Sequence, residues 1–316
     1  MEYTAVIRTL GKAGEKYQIL LNSLSQQAIS PSAIYVYIAE GYSLPKETVG
    51  TEKYVYVTKG MVSQRALPYS EIDTEYILFL DDDVYLPTDG VEKMYYALIS
   101  RKADVVSPDV FNNAKRPVLN KIMMAISGRM WPRRDDKKWA YKIMSNSGYS
   151  YNANPSQDVY ESQSNAGPCF FCSKESFLKI RFQDEKWLEH CSYPLGEDQV
   201  MFYKMFRKGL KQLTVFNTGI EHMDAGTTLM SEDKERALLY SDFRFKTIFW
   251  HRFIFKPEKN ILKKIWSCVS ILYAFSFAFV ISLLKLRFDI LKVKCSAIKS
   301  GIEFIESNEY KNLPLI

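Results

Sequence analysis

Three consecutive aspartates, Asp81, Asp82 and Asp83, form the strongest chemical signal in this chain. They follow a continuous apolar run, Tyr76 to Leu80, whose length and composition predict a buried strand. In α/β sheets, ligands bind where strands end at their carboxyl edge. Adjacent carboxylates raise one another's pKa unless a cation neutralises them, so the run predicts a site for a hard divalent ion. A solvated acidic turn is the alternative.

A second acidic pair, Glu197 and Asp198, begins a segment whose apolar residues recur at helical spacing. Taken alone, the pair needs no chemistry, because the dipole of a helix stabilises negative charge at its N-terminus. His222 lies in a polar, glycine-containing stretch farther along, and a lone histidine is more often structural than a ligand.

The elements that would position these residues alternate between strands and helices. The periodicity predicts strands at Tyr3 to Thr9, Ala33 to Ala39, Lys53 to Thr58 and Ala103 to Pro108, with helices at Glu15 to Gln27 and Val91 to Ser100. Gly60 to Tyr69 is also expected to begin as a helix. This order predicts an α/β fold with a mainly parallel central sheet.

The middle of the chain is less regular. Residues 112–165 predict either an acceptor-side loop or lid, or a simple surface excursion. The basic group around Arg133 is short and includes acids, so nucleic acid is not an expected partner. Farther along, Gly167 to Phe171 predicts a buried strand, and in Pro168 to Cys172 the pair Cys169 and Cys172 is expected to be two buried thiols on a strand rather than a zinc or redox site.

In its order of features the chain resembles the family 2 glycosyltransferases of the GT-A fold over about residues 3 to 225. The resemblance rests on a first strand ending at Thr9, a second ending at Glu40-Gly41, Gln64-Arg65 after Gly60, and the aspartate run. It implies a nucleotide-binding half, a DxD-type metal motif and a later acceptor half that holds a catalytic base.

The resemblance also implies roles for single residues. Thr9 and Glu40 would line the nucleobase pocket, with Arg65 near the nucleotide. Asp81 and Asp82 would bind the nucleoside or donor sugar, while Asp83 would hold Mn²⁺ or Mg²⁺, ions that accept octahedral oxygen sites.

In the acceptor half, the resemblance makes Asp198 the general base and Glu197 an orienting partner, with inversion at the sugar carbon. His222 would contact the metal or the diphosphate. The chain departs from the family at three places: Arg8-Thr9-Leu10-Gly11 after the first strand, Ala39-Glu40-Gly41 after the second, and Ala66 after Arg65.

The composition is that of a folded chain with an uneven charge. Its 316 residues are 47% hydrophobic and carry a formal net charge of +6, with many of the excess cations in the last sixty or so positions. The five scattered cysteines fit reduced thiols in the cytosol. Because no charged start precedes an apolar segment at the N-terminus, we expect no secretory signal.

The C-terminal region carries its own signal. The segment Trp266 to Leu284 contains no charged residue, and it would cross a bilayer, lie in the interface or be a buried core helix. Lys285 to Ser307 alternates apolar and basic residues, as in a helix on an anionic surface. The sequence therefore predicts an association with membranes, with the catalytic domain on the cytoplasmic side.

Together with these patterns, the resemblance implies a metal-dependent, inverting glycosyltransferase that uses a nucleotide sugar and a glycan or lipid-linked acceptor. Residues 1–230 would form the GT-A domain, with halves 1–110 and 111–230, and residues 231–316 the C-terminal region with a membrane-associated or transmembrane helix at about 266–284. A nucleotidyltransferase of similar fold and a membrane-anchored binding protein with a decayed site are the alternatives.

Overall fold

The computed structural model describes residues 2–110, 117–130, 138–152, 157–223 and 231–316. The basic group around Arg133 and residues 224–230 after the His222 strand lie outside these ranges. The strands are β1 (Tyr3–Thr9), β2 (Ala33–Ala39), β3 (Glu52–Val57), β4 (Tyr76–Asp81), β5 (Val84–Tyr85), β6 (Val105–Pro108), β7 (Tyr141–Ile143), β8 (Ser150–Asn152), β9 (Val159–Glu161), β10 (Cys169–Ser173), β11 (Gln212–Val215) and β12 (Glu221–His222).

The helices divide between the sheet and the C-terminal region. They are α1 (Glu15–Ser25), α2 (Gly90–Ser100), α3 (Val118–Ile126), α4 (Lys174–Lys179), α5 (Glu197–Arg207), α6 (Glu232–Phe249), α7 (Ile261–Leu284), α8 (Phe288–Glu306) and α9 (Asn308–Lys311). A 3₁₀ segment spans Phe182–His190, and a π-helix, Trp250–Phe255, continues α6.

The main sheet has eight strands in the order β3-β2-β1-β4-β10-β6-β11-β9. Strands β3, β2, β1 and β4 are parallel, as are β6 and β11, while β10 runs antiparallel between β4 and β6. Strand β9 is antiparallel to β11. The predicted α/β fold with a mainly parallel sheet is confirmed.

Strand β4 is apolar from Tyr76 to Leu80 because both faces of the sheet are covered there. Leu78 and Leu80 pack into a cluster that includes residues of α1 and α2, whereas Ile77 and Phe79 pack into a cluster that includes residues of α5. All four side chains are buried. The strand is thus fixed on both faces up to the point where the aspartates begin.

The expected helix at Gly60 to Tyr69 is wrong. Residues 61–65 form turns that are held by a distant side chain. The Glu189 carboxylate accepts hydrogen bonds from the backbone N–H groups of Val62 and Ser63, each at 2.8 Å, and from the Ser63 hydroxyl at 3.0 Å. The N–H groups of Gln64 and Ala66 bond to the oxygens of Gly60 and Val62, four positions earlier, but this pattern is not continued, so the segment forms turns and no regular helix.

The C-terminal region shares a core with the sheet domain. Phe245, Phe249 and Phe253 belong to the same buried cluster as Phe170 of β10 and Phe202 of α5. The C-terminal region therefore packs against β10 and α5 of the sheet domain. The predicted boundaries at residues 110 and 230 stay a prediction.

A buried ion cluster strengthens this junction. Glu185, in the 3₁₀ segment, accepts hydrogen bonds from Arg252 Nη2 at 2.8 Å and Nε at 2.9 Å, and from Lys204 Nζ at 2.8 Å. Burial would raise the pKa of Glu185, but the Arg252 and Lys204 cations outweigh it and hold the pKa below its ordinary value. One carboxylate thus joins the 3₁₀ segment, α5 and the π-helix.

The predicted buried thiols are confirmed. Cys169 and Cys172 lie on β10 with no exposed surface, and both are free. Burial raises the pKa of each thiol above its ordinary value, so both remain protonated and unreactive.

Helix α7 includes the predicted apolar segment. Among the described residues it is the helix whose length and composition would allow it to cross a membrane, although core helices pass the same test. The segment Lys285 to Ser307 corresponds to α8, which packs against α6 and α7.

Candidate active site

Two guanidinium groups lie at the centre of the carboxyl edge of the sheet. Arg8, near the end of β1, is adjacent to Asp81, at the end of β4, in the parallel strand register. Arg8 binds this carboxylate with two nitrogens, and Arg65 Nη2 lies 3.2 Å from Asp81 Oδ1. Burial would raise the pKa of Asp81, but Arg8 and then Arg65 outweigh it and hold the pKa below its ordinary value.

The same two arginines reach Glu197 at the start of α5. Arg8 Nη1 lies 2.8 Å and Arg65 Nη1 2.9 Å from Glu197 Oε1. Burial raises the pKa of Glu197, and the nearby arginines only partly offset this effect. Glu197 is therefore tied to the carboxyl edge of β1 and β4 although it is more than 110 positions from Asp81 in the sequence.

Asp198 differs from Glu197 in that it faces solvent. Its side chain is 40% exposed, whereas that of Glu197 is 3% exposed. The Gly167 N–H donates a 2.9 Å hydrogen bond to Asp198 Oδ2, and Arg65 Nη1 lies 3.5 Å from Oδ1. This aspartate is thus oriented by two groups and remains accessible.

The second aspartate of the run has a separate partner. The Thr9 hydroxyl donates a hydrogen bond to Asp82 Oδ2. Burial, together with the charges of Asp81 and Asp83, raises the pKa of Asp82 to about 6. A cation or a hydrogen-bond donor beside Asp82 would stabilise its ionised form and lower its pKa.

Asp83, the third aspartate of the run, lies next to His222. The short strands β5 and β12 pair so that His222 lies opposite Val84, and the Met223 N–H donates to the Asp83 backbone oxygen at 2.9 Å. This pairing brings His222 Nε2 to 3.0 Å from Asp83 Oδ2. The chain therefore juxtaposes two residues that lie 139 positions apart in the sequence.

The Asp83 and His222 pair fits two ligands of one divalent ion. Neighbouring ligands of an octahedral ion with bonds of about 2.1 Å lie about 3.0 Å apart. A carboxylate oxygen and an imidazole nitrogen both suit Mn²⁺. Among the described residues, no cluster of three histidine, cysteine or acidic side chains is arranged for a metal, so the pair would need further ligands from a bound molecule or water.

A cleft of about 440 Å³ opens over these groups. Its wall includes Asp81, Glu197, Asp198 and His222, together with Asn165 from the segment before β10. Acidic, basic and imidazole groups thus converge on one solvent-accessible space. Such a cleft suits a charged, polar ligand.

Glu40 stands apart from this group. It lies just beyond β2, its side chain is exposed, and its backbone N–H bonds to the Val57 oxygen. Arg8, conversely, is a central residue that the sequence marked only as a departure from the family pattern. Its position directly before Thr9, at the end of a predicted strand, was the available signal.

Gly196, which precedes α5, is closely approached by a C-terminal side chain. Its φ is +84°, and a Cβ built there would lie 2.3 Å from the Phe245 ring. Gly196→Ala is therefore expected to displace the start of α5, which carries Glu197 and Asp198, and to lower the activity of the site at least tenfold. Gly209→Ala is the matched control, because Gly209 has a φ of +83° and nothing within 4 Å of its Cβ position.

Activity assays and thermal melts of the two variants distinguish a steric clash with Phe245 from the backbone strain of an alanine at positive φ. Phe245→Leu should restore part of the activity of Gly196→Ala, because it shortens the clashing side chain. Equal losses of activity and of thermal stability in Gly196→Ala and Gly209→Ala would contradict a clash with Phe245.

Comparison with known proteins places the fold. Residues 3–106 match the model of the glycosyl transferase family 64 domain. No curated protein sequence matches the chain. The chain is similar to the structure of GalNAc-T7 with UDP, GalNAc and Mn²⁺, with a TM-score of 0.51 and 13% identity, over 89% of this chain and 57% of that one. It thus spans little more than half the length of GalNAc-T7.

A second similar structure is that of residues 1–349 of TarS from S. aureus in complex with UDP-GlcNAc. The TM-score is 0.49 and the identity 13%, over 96% of this chain and 81% of that one. The matched model is that of family 64, so the resemblance to family 2 stays a prediction. The fold is similar to that of GT-A glycosyltransferases, and together with the family match it supports a glycosyltransferase enzyme.

Proposed function

We propose that this protein is a metal-dependent, inverting glycosyltransferase that moves a sugar from a nucleotide diphosphate donor to a hydroxyl of a glycan or lipid-linked acceptor. The observation that carries the proposal is the accessible Asp198 in the cleft that Asp81 and His222 also line. Within this proposal, membership of family 2 rests on the acidic motifs. The cytoplasmic face of a membrane is the proposed location.

The donor would bind at the carboxyl edge of β1 and β4. Thr9 holds Asp82 in place, and Arg8 and Arg65 hold Asp81, so both carboxylates have fixed orientations for hydroxyl groups of the nucleoside or sugar. Arg65, predicted to lie near the nucleotide, would act through Asp81, Glu197 and Asp198, which its side chain contacts. Glu40, exposed beyond β2, would contact the nucleobase at the outer end of the same edge.

Asp83 and His222 would hold Mn²⁺ or Mg²⁺ with the donor diphosphate. When bound, such an ion neutralises the charge that grows on the diphosphate as the bond to the sugar breaks. The backbone bond from Met223 to Asp83 keeps the strand that carries His222 against the aspartate loop. The ligand pair is therefore held by the backbone.

Asp198 would take the proton from the acceptor hydroxyl. A hydroxyl is a weak nucleophile at neutral pH and needs a carboxylate within hydrogen-bond reach. The Gly167 N–H orients the Asp198 carboxylate, and Glu197 anchors the helix start through both arginines. Attack from the side opposite the diphosphate inverts the configuration of the sugar carbon.

The testing experiment measures thermal stability with a panel of nucleoside diphosphates and nucleotide sugars, with and without Mn²⁺. A donor that binds only the folded chain, at about 100 times its Kd, stabilises it by about 2.7 kcal/mol. We expect one nucleotide to raise the melting temperature by several degrees, and only with metal. Asp83→Ala should abolish this shift.

The matched control is Asp89→Ala, because Asp89 is an exposed aspartate that pairs with Lys93 at the start of α2. This variant should retain the full nucleotide shift. If no nucleotide stabilises a well-folded wild-type sample, the transferase proposal fails and a decayed binding protein becomes the better explanation.

A further inference from the structure

Helix α7 presents an apolar stripe that the rest of the described chain does not cover. Leu262, Trp266, Val269, Leu272 and Leu284 are each at least half exposed, at helical spacing along one face. Large apolar side chains in a continuous exposed row mark a surface that binds a partner or a lipid.

Helix α3 extends this surface. None of its nine residues is buried, and Val118, Leu119, Ile122, Met123 and Ile126 are between 41% and 74% exposed. Because so many exposed apolar side chains on one short helix are unfavourable in water, we expect a partner or a lipid to cover them. The sequence pattern had not distinguished this helix from an irregular loop.

The two helices are in direct contact. The Tyr273 hydroxyl, on the exposed stripe of α7, donates a 2.5 Å hydrogen bond to the Ile126 oxygen at the end of α3. Met124 of α3 packs against the buried cluster that includes Ile271 and Phe275 of α7. Their exposed apolar residues therefore form one continuous surface, which we call the α3–α7 face.

The opposite side of α7 is built into the protein along its length. Asn146 Nδ2 donates a 2.9 Å hydrogen bond to Ser270 Oγ near the middle of α7. Farther along, Lys294 Nζ of α8 donates to the Ala278 oxygen at 2.9 Å and to Ser282 Oγ at 2.7 Å. Crossing a bilayer would break these bonds or carry a lysine into the hydrocarbon.

The charges around the α3–α7 face favour an anionic lipid surface over a second copy of the chain. Neither helix contains a carboxylate, whereas α3 carries Lys121, α7 carries Lys263 and Lys264 in its first turn, and Lys285 follows α7. A second copy would place like charges together without carboxylates to pair with them. Anionic headgroups supply that missing charge.

We propose that α3 and α7 together form an in-plane binding face for anionic lipid bilayers, and that α7 lies along the membrane without crossing it. Trp266 and Tyr273, aromatic side chains with polar atoms, suit the headgroup level. The inference rests on the proposed membrane association but is independent of the sugar-transfer chemistry, so the two fail separately.

The first test is flotation of the full chain with vesicles of phosphatidylcholine, with and without about a third phosphatidylglycerol. The wild type should float with the anionic vesicles and lose binding in high salt. Leu119→Glu/Ile122→Glu on α3 should lower the bound fraction at least fivefold without changing the melting temperature, because both side chains are exposed.

The matched control is Tyr96→Glu/Ile99→Glu on α2, whose side chains are also exposed but lie on the sheet domain. This control should bind vesicles like the wild type. Failure of the wild type to bind anionic vesicles, or unchanged binding of the α3 variant, would overturn the proposal. So would a dimer in light scattering that only the α3 variant disperses.

The second test distinguishes a helix α7 that lies in the plane of the membrane from one that crosses the bilayer. Glu303→Cys on α8, in a chain whose Cys191, Cys268 and Cys295 are serine, provides one exposed thiol beyond α7. Added to preformed vesicles, the protein should react with an impermeant maleimide as fully before detergent as after it. Protection that detergent removes would show a crossing helix and overturn the in-plane arrangement.

Discussion

Asp198→Asn is expected to lower the rate of sugar transfer by a factor of about 10² to 10⁴, the range that a lost general base typically costs. The amide keeps the shape of the side chain and can still accept the hydrogen bond from the Gly167 N–H, but it cannot take up a proton from the acceptor. The nucleotide-induced thermal shift should remain, because Asp198 is not a proposed donor or metal ligand.

Asp89→Asn is the control for this experiment. Asp89 also lies at the N-terminus of a helix, α2, where it pairs with Lys93. If the only role of Asp198 were to stabilise a helix end, the two substitutions would have similar small effects. A turnover rate of Asp198→Asn within a factor of three of the wild type would contradict its role as base.

Glu185→Gln is expected to destabilise the folded chain by roughly 3–5 kcal/mol, as when one partner of a buried ion pair is removed. The substitution leaves Arg252 and Lys204 buried without their shared carboxylate. Because the cluster joins the π-helix to α5, the loss should appear in the global unfolding transition measured by denaturant titration.

Glu175→Gln provides the comparison. Glu175 pairs with Lys179 on α4, but both side chains are well exposed. Exposed pairs contribute little to stability, so this variant should unfold nearly like the wild type. An unfolding midpoint of Glu185→Gln equal to that of Glu175→Gln would contradict the importance of the buried cluster.

The sequence predicted those features that depend on neighbouring residues. The apolar run before the aspartates predicted β4 because a strand covered on both faces needs no alternation. The periodicity of α5 placed Glu197 and Asp198 at a helix start for the same local reason. The position of the candidate site at the carboxyl edge of the sheet followed from these two elements.

Other features depend on partners that local patterns do not reveal. The two carboxylates that Arg8 binds lie 73 and 189 positions away, so its central place required the fold. At residues 61–65 the local pattern predicted a helix where only turns form, and it gave no sign of their carboxylate partner, Glu189, which lies more than 120 positions later. Only the pairing of β5 with β12 determined the approach of His222 to Asp83.

The antiparallel placement of β10 has a consequence for the segment between β6 and β10. The chain leaves the carboxyl edge of the sheet at the end of β6 and returns to the same edge at the start of β10, next to Asp81, whose N–H bonds to the Pro168 oxygen. The loops of the intervening segment, between α3 and the strands β7, β8 and β9, can therefore differ in length while both of its ends stay fixed. Under the proposed function, a different segment between β6 and β10 would present a different acceptor surface while the strands that carry Arg8 and Asp81 stay unchanged.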